Sequence, residues 1–324
     1  MHPKISVIIP CFNLGTYLDA CLNSISIQSQ GEIEYVFIND GSSDDTLGKL
    51  ERFILYKPSC KLINQENGGV SIARNAGLAM CTGEYIYLLD GDDVLTDSAI
   101  DQMLTDISSD NPDLIISNVK RVRGSKVIDV PLTFKIGIYS PVELYESIEY
   151  FHPAPQLLYR RAIIEDQRLR FNTRLSLGEV YDFTVRFLAF AKKIKVVDSC
   201  YFLYTVRPTS ATQQPNYNKD ITIVESIKEY NRFGGILKEM PSFKLTNFKM
   251  LLGFTYNKYL KQQLHTSDAY SAISTFLSDS DVKNCIRAVK RCKGISIKNR
   301  MFAEYISVTG IWGYRIINKI LSIR

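Results

Sequence analysis

Residues 84–93, Glu-Tyr-Ile-Tyr-Leu-Leu-Asp-Gly-Asp-Asp, constrain this chain more than any other stretch. Tyr85 to Leu89 form a short apolar and aromatic run after Thr82-Gly83, and five residues at ~3.3 Å each cross the middle of a sheet. Asp90, Asp92 and Asp93 then leave its carboxyl end, the edge where open α/β sheets bind ligands. Three carboxylates packed that closely need a cation or solvent. Hard oxygen ligands suit Mg²⁺ or Mn²⁺, which keep waters and take one or two protein carboxylates, with substrate phosphates completing the shell. A solvated acidic turn leading into a helix from about Thr96 is the alternative, and at this point both readings stand.

Composition narrows the class. A chain of 324 residues suggests two or three units, and 45% hydrophobic with 23% charged residues excludes disorder and a disulfide scaffold. Seven cysteines, an odd number without a C-x-x-C pair, argue for a reducing compartment and against structural zinc. Cys11, Cys21, Cys60, Cys81, Cys200, Cys285 and Cys292 are expected to be buried or idle thiols. Met1-His2-Pro3-Lys4 runs straight into a strand-like segment without a secretory pattern, and no run of ~18 apolar residues occurs, so a cytoplasmic protein without a membrane span is expected. The net charge of +5 is unevenly spread: residues 213–324 hold 18 Lys and Arg against 8 Asp and Glu, and the remainder 21 against 26. That split reads as a catalytic body with a basic attachment element.

From the amino end, Ile5-Ser6-Val7-Ile8-Ile9 reads as a central parallel strand ending at Pro10, followed by a loop through Cys11-Phe12-Asn13 and a helix from Thr16. Neither G-x-G-x-x-G nor a Gly-rich loop ending in Lys is present there, which argues against dinucleotide-binding and P-loop ATPase classes. Glu34 to Ile38 is a second strand ending in Asn39-Asp40-Gly41-Ser42-Ser43-Asp44, where Ser43 and Asp44 read as helix-capping groups. Lys61 to Asn64 is a third strand. Asn67-Gly68-Gly69 lets backbone approach a ligand and opens a helix carrying Arg74 and Asn75.

These four segments, ending with Leu89-Asp90-Gly91-Asp92-Asp93, lie in order over residues 5–95 and together resemble family-2 glycosyltransferases of the GT-A fold. The resemblance implies an α/β protein with a Rossmann-like and mostly parallel sheet flanked by helices, and from Lys219 the residues themselves read as a helical C-terminal extension. It implies an inverting transferase using a UDP-sugar donor and Mn²⁺ or Mg²⁺. It places Pro10 and Phe12 at the base pocket, Asp40 on uracil, Arg74 near the nucleotide, Asp90 toward the ribose and Asp92, with Asp90, at the metal; Asn13 and Gly69 join the donor contacts. A carboxylate can accept from the uracil N–H, and a divalent ion can neutralise a departing diphosphate. The acceptor is expected to be a hydroxyl of a growing glycan or glycolipid in cell-surface polysaccharide synthesis.

In the second half, Asp101 to Ile107 reads as a helix, Asp113 to Asn118 as a strand, Lys120 to Asp129 as a hairpin or solvent-facing loop, and Leu157 to Arg161 as the family's acceptor-side element. His152 in its Pro-bracketed loop is read as structural, with acceptor contact the alternative. Residues 174–183 resemble the family's Leu-Gly-Glu-Asp segment, whose Asp serves as general base. Val180 occupies that position here, and a valine accepts no proton. Glu179 and Asp182 are the candidate substitutes, Glu179 the better placed at about 100° round a helix from residue 180. A helix-capping Glu179 and a surface Asp182 are the structural alternative, and a degenerate sugar-nucleotide-binding subunit is the alternative function. Lys195 to Asp198 and Tyr201 to Tyr204 read as a last hairpin, and Arg207 and Ser210 match a family loop that closes over the donor.

The expected boundaries are 1–212 for the transferase domain, with 1–100 the nucleotide-sugar half and 101–212 the acceptor half, and 213–324 for a helical basic region. In the last helix Phe302, Tyr305, Ile306, Trp312, Ile316, Ile317 and Ile320 share a face behind Lys290, Arg291, Lys293, Lys298 and Arg300. Such a helix can lie on an anionic membrane, and docking on its own domain is the other option. The expected partner through 290–324 is therefore the inner face of the cell membrane, held peripherally, and no nucleic acid.

Overall fold

The structure, a computed structural model, describes residues 2–26, 32–123, 126–130, 134–146, 156–175 and 178–205, then parts of 271–291 and four positions between 301 and 308. Two compact units are distinguished, one of Met1–Leu144, His152–Thr173 and Glu179–Pro208, the other of Tyr145–Phe151, Arg174–Gly178 and Thr209–Arg324. The first unit holds the sheet.

The elements follow in the order β1 (Ile5–Cys11), α1 (Leu18–Ser26), β2 (Ile33–Asp40), α2 (Thr46–Ile54), β3 (Cys60–Gln65), α3 (Val70–Met80), β4 (Tyr85–Leu88), β5 (Val94–Leu95) and α4 (Ala99–Ser108). Then come β6 (Leu114–Arg123), β7 (Lys126–Val130), β8 (Gly137–Tyr139), α5 (Pro141–Glu146), β9 (Leu157–Arg160), α6 (Arg161–Asp166), α7 (Glu179–Leu188) and β10 (Ile194–Thr205). The sheet order is β3-β2-β1-β4-β9-β6-β10-β5, with β7 on β6 and β8 on β10. The first four strands are parallel. Because β9 is antiparallel to both β4 and β6, β6 and its parallel neighbour β10 point the same way as β4. The carboxyl ends of β1, β2, β4 and β6 therefore share one edge.

Strand alternation divides the core into two layers. Ile5, Val7 and Ile9 of β1, with Tyr35, Phe37, Tyr85 and Tyr87, face Leu18, Cys21 and Ile25 of α1, Leu50 of α2 and Ile100 and Met103 of α4. On the other face a Cβ on Gly77 of α3 would stand 2.5 Å from Ile8, so that helix lies close on β1 because residue 77 has no side chain. There Tyr159 of β9 meets Phe183 and Phe187 of α7 edge-on at 5.5 and 5.2 Å.

Glu34 ties the amino edge. Its buried carboxylate accepts from Ser6 Oγ at 2.5 Å, from Thr82 N at 2.5 Å and from Lys61 Nζ at 2.6 Å, joining β1, β2, β3 and the turn into β4. Burial alone would raise this carboxyl, but the Lys61, Ser6 and Thr82 donors bring it down to about 2.

Some expected elements differ. The pair of strands expected at 195–204 is one twelve-residue strand, β10, whose register against β6 shifts on either side of Cys200. Asp198-Ser199-Cys200 carries turn-favouring residues but adopts no positive φ such as a tight hairpin turn requires, and bulges absorb the irregularity instead. The helix expected from Thr96 begins at Ala99 because Val94–Leu95 form a short strand on β10 first. Lys120 to Asp129 does form a hairpin, and β6 extends into it as far as Arg123.

In the second unit α8 (Ser280–Arg291) buries Val282, Ile286 and Val289 along one helical stripe. Lys290 pairs with Glu304 at 2.6 Å. Most of the face assigned to membrane contact, including Trp312, lies outside the described residues, as do 206–270. No helix among the described residues is long and apolar enough to cross a membrane.

Candidate active site

Three loops meet at the shared carboxyl edge. Asp40, last residue of β2, is buried and accepts from Gly68 N at 2.9 Å, Gly69 N at 2.8 Å and Gln65 Nε2 at 2.7 Å. It thereby fixes the Gly68-Gly69 turn against the sheet, with Gly69 at φ +87° as the residue before α3. Asn13, itself at φ +49°, donates its backbone N–H to Ser42 Oγ at 3.0 Å and its side-chain Oδ1 accepts from Ser43 N at 2.8 Å, so the loops after β1 and β2 form one wall. Asp44 accepts from Thr46 N at 3.0 Å at the start of α2. Pro10 is the penultimate residue of β1, and Phe12 beside it is 49% exposed. An aromatic ring left uncovered at this edge suits a flat ligand.

Arg74 is the centre of the site. It rises from the first turns of α3 and is buried, yet its Nη2 donates to Asp90 Oδ1 at 2.8 Å and its Nη1 to Glu179 Oε1 at 2.8 Å. Burial works to lower the guanidinium's proton affinity, and the Asp90 and Glu179 carboxylates outweigh it, leaving the group above its ordinary value. The Phe171 ring lies 5.5 Å away and stacks on Phe183 of α7 at 4.3 Å. Asn75, the next residue on α3, donates to Phe171 O at 2.9 Å and accepts from Phe171 N at 2.7 Å. This reciprocal pair holds the segment before α7 against α3.

Asp90-Gly91-Asp92-Asp93 is a turn closed by Asp93 N donating to Asp90 O at 2.9 Å. It lies hard on the end of β1: a Cβ on Gly91 would meet Leu14 at 2.5 Å and Cys11 Sγ at 3.0 Å. Asp93 is buried and accepts from Thr205 N at 2.9 Å, which ties the turn to the end of β10. Asp90 and Asp92 are part-exposed. Burial first, then the charges of Asp92 and Asp90, push the Cys11 thiol far up, so it serves as a small apolar group under the turn. Among the described residues no three His, Cys, Asp or Glu side chains are grouped to hold a metal on their own. One or two carboxylates with a substrate diphosphate still make a suitable shell for a hard divalent ion, and Asp92, with Asp90 half committed to Arg74, fits that pattern.

At the third wall Gly178, φ +77°, turns the chain into α7, and Glu179 is its first residue. Asp182 takes a different course from the one expected for a surface or catalytic acid. It is fully buried and receives Arg186 Nε at 3.0 Å and Nη2 at 2.5 Å, one helical turn on, while Arg186 also donates to Arg170 O at 2.8 Å. The structure thus brings Asp90, Arg74 and Glu179 together and leaves Asp182 in an internal ion pair. Arg207, Ser210 and His152 lie outside the described residues. Sequence reasoning overlooked the tie from Asn75 to Phe171 and the anchoring of Asp93 by Thr205. An asparagine inside a helix is a poor helix former that competes for backbone groups, the one signal that residue 75 has a partner elsewhere.

The Glycosyl transferase family 2 profile matches residues 6–167, half of the chain. Among curated relatives, glycosyltransferase EpsJ of Bacillus subtilis is 28% identical over 223 residues, 66% of this chain and 64% of that protein. The poly(ribitol-phosphate) beta-N-acetylglucosaminyltransferase TarS of Staphylococcus aureus is 29% identical over 209 residues, 63% of this chain and 36% of that protein. The crystal structure of TarS residues 1–349 in complex with UDP-GlcNAc superposes with a TM-score of 0.76 at 20% identity, covering 98% of this chain and 90% of that one. A mannosyltransferase from Pyrobaculum calidifontis, in complex with GDP-Man and Mn²⁺, gives a TM-score of 0.56 at 15% identity over 99% and 87% of the two chains. The mixed sheet with its parallel first four strands, the strand-end acids and the matched profile make this chain a family-2 glycosyltransferase with the GT-A fold.

Proposed function

We propose that the chain is an inverting, metal-dependent transferase that moves a sugar from a UDP-sugar to a hydroxyl of a growing glycan or glycolipid, in the making of a cell-surface polymer. The observation that carries this reading is the bridge by which Arg74 joins Asp90, on the donor side, to Glu179, where the base must stand. The TarS complex with UDP-GlcNAc and the TarS name support the donor and polymer class. Phe12 and Pro10 offer the base a flat apolar rest, and Asp40, already holding the Gly68-Gly69 turn, stands at its polar edge. A divalent ion on Asp92, when bound, would neutralise the diphosphate as it leaves. Glu179 takes the proton from the acceptor hydroxyl, whose oxygen attacks the anomeric carbon from the face opposite the diphosphate. The bond from that carbon to the diphosphate oxygen breaks, and UDP carries away the electron pair. Arg74 supports the step by orienting Glu179 through Oε1. The second reading, a sugar-nucleotide-binding subunit without turnover, is favoured by one observation, Val180 in place of the family's Asp.

UDP release from a panel of UDP-sugars with Mn²⁺ and a glycolipid extract separates the two. Acceptor-stimulated release in the native chain, lost by about 10²–10⁴ in Glu179→Gln with UDP binding intact, is expected. Donor binding without release, together with turnover gained in Val180→Asp, would establish the binding subunit instead.

A further inference from the structure

The Asp182–Arg186 pair takes no part in the chemistry proposed above, although both partners are buried. Two charges taken out of water on one helix are a weak source of stability. Desolvation cancels much of their attraction, and well-packed apolar side chains of similar volume often do as well or better. The pair's place in the fold points to a different use. Glu179, Asp182, Phe183 and Arg186 stand at i, i+3, i+4 and i+7 of α7 and therefore share one stripe of that helix.

The stripe lies on residues 170–171. Arg186 Nη2, held by Asp182 Oδ2, also donates to Arg170 O at 2.8 Å, and the Phe183 ring stacks on the Phe171 ring at 4.3 Å. From the other side Asn75 of α3 accepts from Phe171 N and donates to Phe171 O. Residues 170–171 are thus a splint between the two helices, and Asn75 is the neighbour of Arg74, whose Nη1 meets Glu179. The helices are joined twice: directly at the first turn of α7, and through the splint as far along as Arg186, seven residues or about 10 Å deeper. One support leaves a helix free to turn about it, whereas two that far apart fix both its rotation and its tilt. A slip of one residue would swing Glu179 through about 100° and off Arg74.

We propose that Asp182 and Arg186, with Asn75 across the splint, are positioning residues that set the rotation of α7 and so hold Glu179 on Arg74. The placement of Glu179 stands independently of the transfer reading; only its value as the placement of a base rests on that reading.

The test has one arm without turnover and one with it, both on the full chain. In urea unfolding, Arg74→Met and Glu179→Gln should be non-additive in the native chain, as contacting residues are. In an Asp182→Leu/Arg186→Met background that coupling should fall away, while the far-UV spectrum, the UDP affinity and the urea midpoint stay near native. In the transfer assay the same double variant should lose about 10–100-fold in kcat with KM for the UDP-sugar unchanged, and should cost nothing further once Glu179→Gln has removed the base. Asn75→Ala loosens the other side of the splint at little cost to α3, alanine being the better helix former, and should reproduce both effects even if the double variant does not fold. Additivity in the native chain, or coupling that persists in the Asn75→Ala and double-variant backgrounds, would overturn the proposal. So would a loss of kcat that adds in full to that of Glu179→Gln, or one matched by lost UDP affinity and a lower urea midpoint, which mark a merely structural role. A native chain without transfer whose coupling is lost as expected would remove the transfer reading and uphold the positioning.

Discussion

Arg74 carries more of the site than any other side chain, because a forked guanidinium can hold two carboxylates that come from distant parts of the chain. A lysine at this position keeps the charge but offers a compact ammonium that cannot span both acids. Arg74→Lys is therefore expected to fold with near-native thermal stability yet lose about 10–100-fold in transfer, the worth of a hydrogen bond to a charged group. Steady-state UDP release with UDP affinity measured alongside checks this; unchanged release would remove Arg74 from the positioning role. The pairing also marks a limit of legibility. Asp40, Arg74, Asp90 and Glu179 were each visible as polar residues at strand ends or helix starts, but Arg74 and Glu179 are 105 positions apart, and their contact depends on the Phe171 segment being bound to Asn75. Asp182 reads in the sequence like a second acid of the same helix, and only its burial against Arg186 separates it from Glu179.

At the scale of the element, the acidic turn depends on how closely it lies on β1. Gly91 has no room for a methyl group between Leu14 and Cys11, and Pro10 O would stand 3.2 Å from the added carbon. Gly91→Ala should displace the turn, weaken Mn²⁺-dependent UDP affinity in calorimetry, as removal of the Asp92 charge in Asp92→Asn should, and cost about 1–3 kcal/mol of stability as an overpacked site. Native UDP affinity in Gly91→Ala would show that the turn tolerates the shift and that its fit against β1 does not set donor binding. β2 and β4 were legible because their apolar runs end abruptly in Asn-Asp and Asp-Gly-Asp-Asp, a pattern that a buried parallel strand leaves in sequence. β10 was not, since a bulged strand of mixed residues resembles two short strands with a turn between them. β5 was not either: two residues carry no period, and the strand exists because β10 offers it an edge.

At the scale of the molecule, the opposite edge of the sheet holds the charge that links folding to pH. The Glu34 carboxyl, at about 2 against an ordinary 4.5, is bound more weakly by protons in the folded state than in the unfolded one. Its contribution to stability is therefore complete above about pH 4.5–5 and is lost as pH falls toward 2, an effect of up to about 3 kcal/mol for a shift of this size. Glu34→Gln keeps the shape but presents a neutral group to Lys61 Nζ and replaces one acceptor oxygen by a donor, facing Ser6 and Thr82, which already donate there. Urea unfolding of the native chain and the variant, followed from pH 7 to 2.5, should show the variant about 2–3 kcal/mol less stable at pH 7, with the gap closing through the acid range. A gap that stays constant with pH would mean that the packing of residue 34, and not its charge, joins β1, β2, β3 and the turn into β4. A gap that closes would show that one buried carboxylate at the amino edge helps hold rigid the sheet whose carboxyl edge presents Asp40 and Asp90.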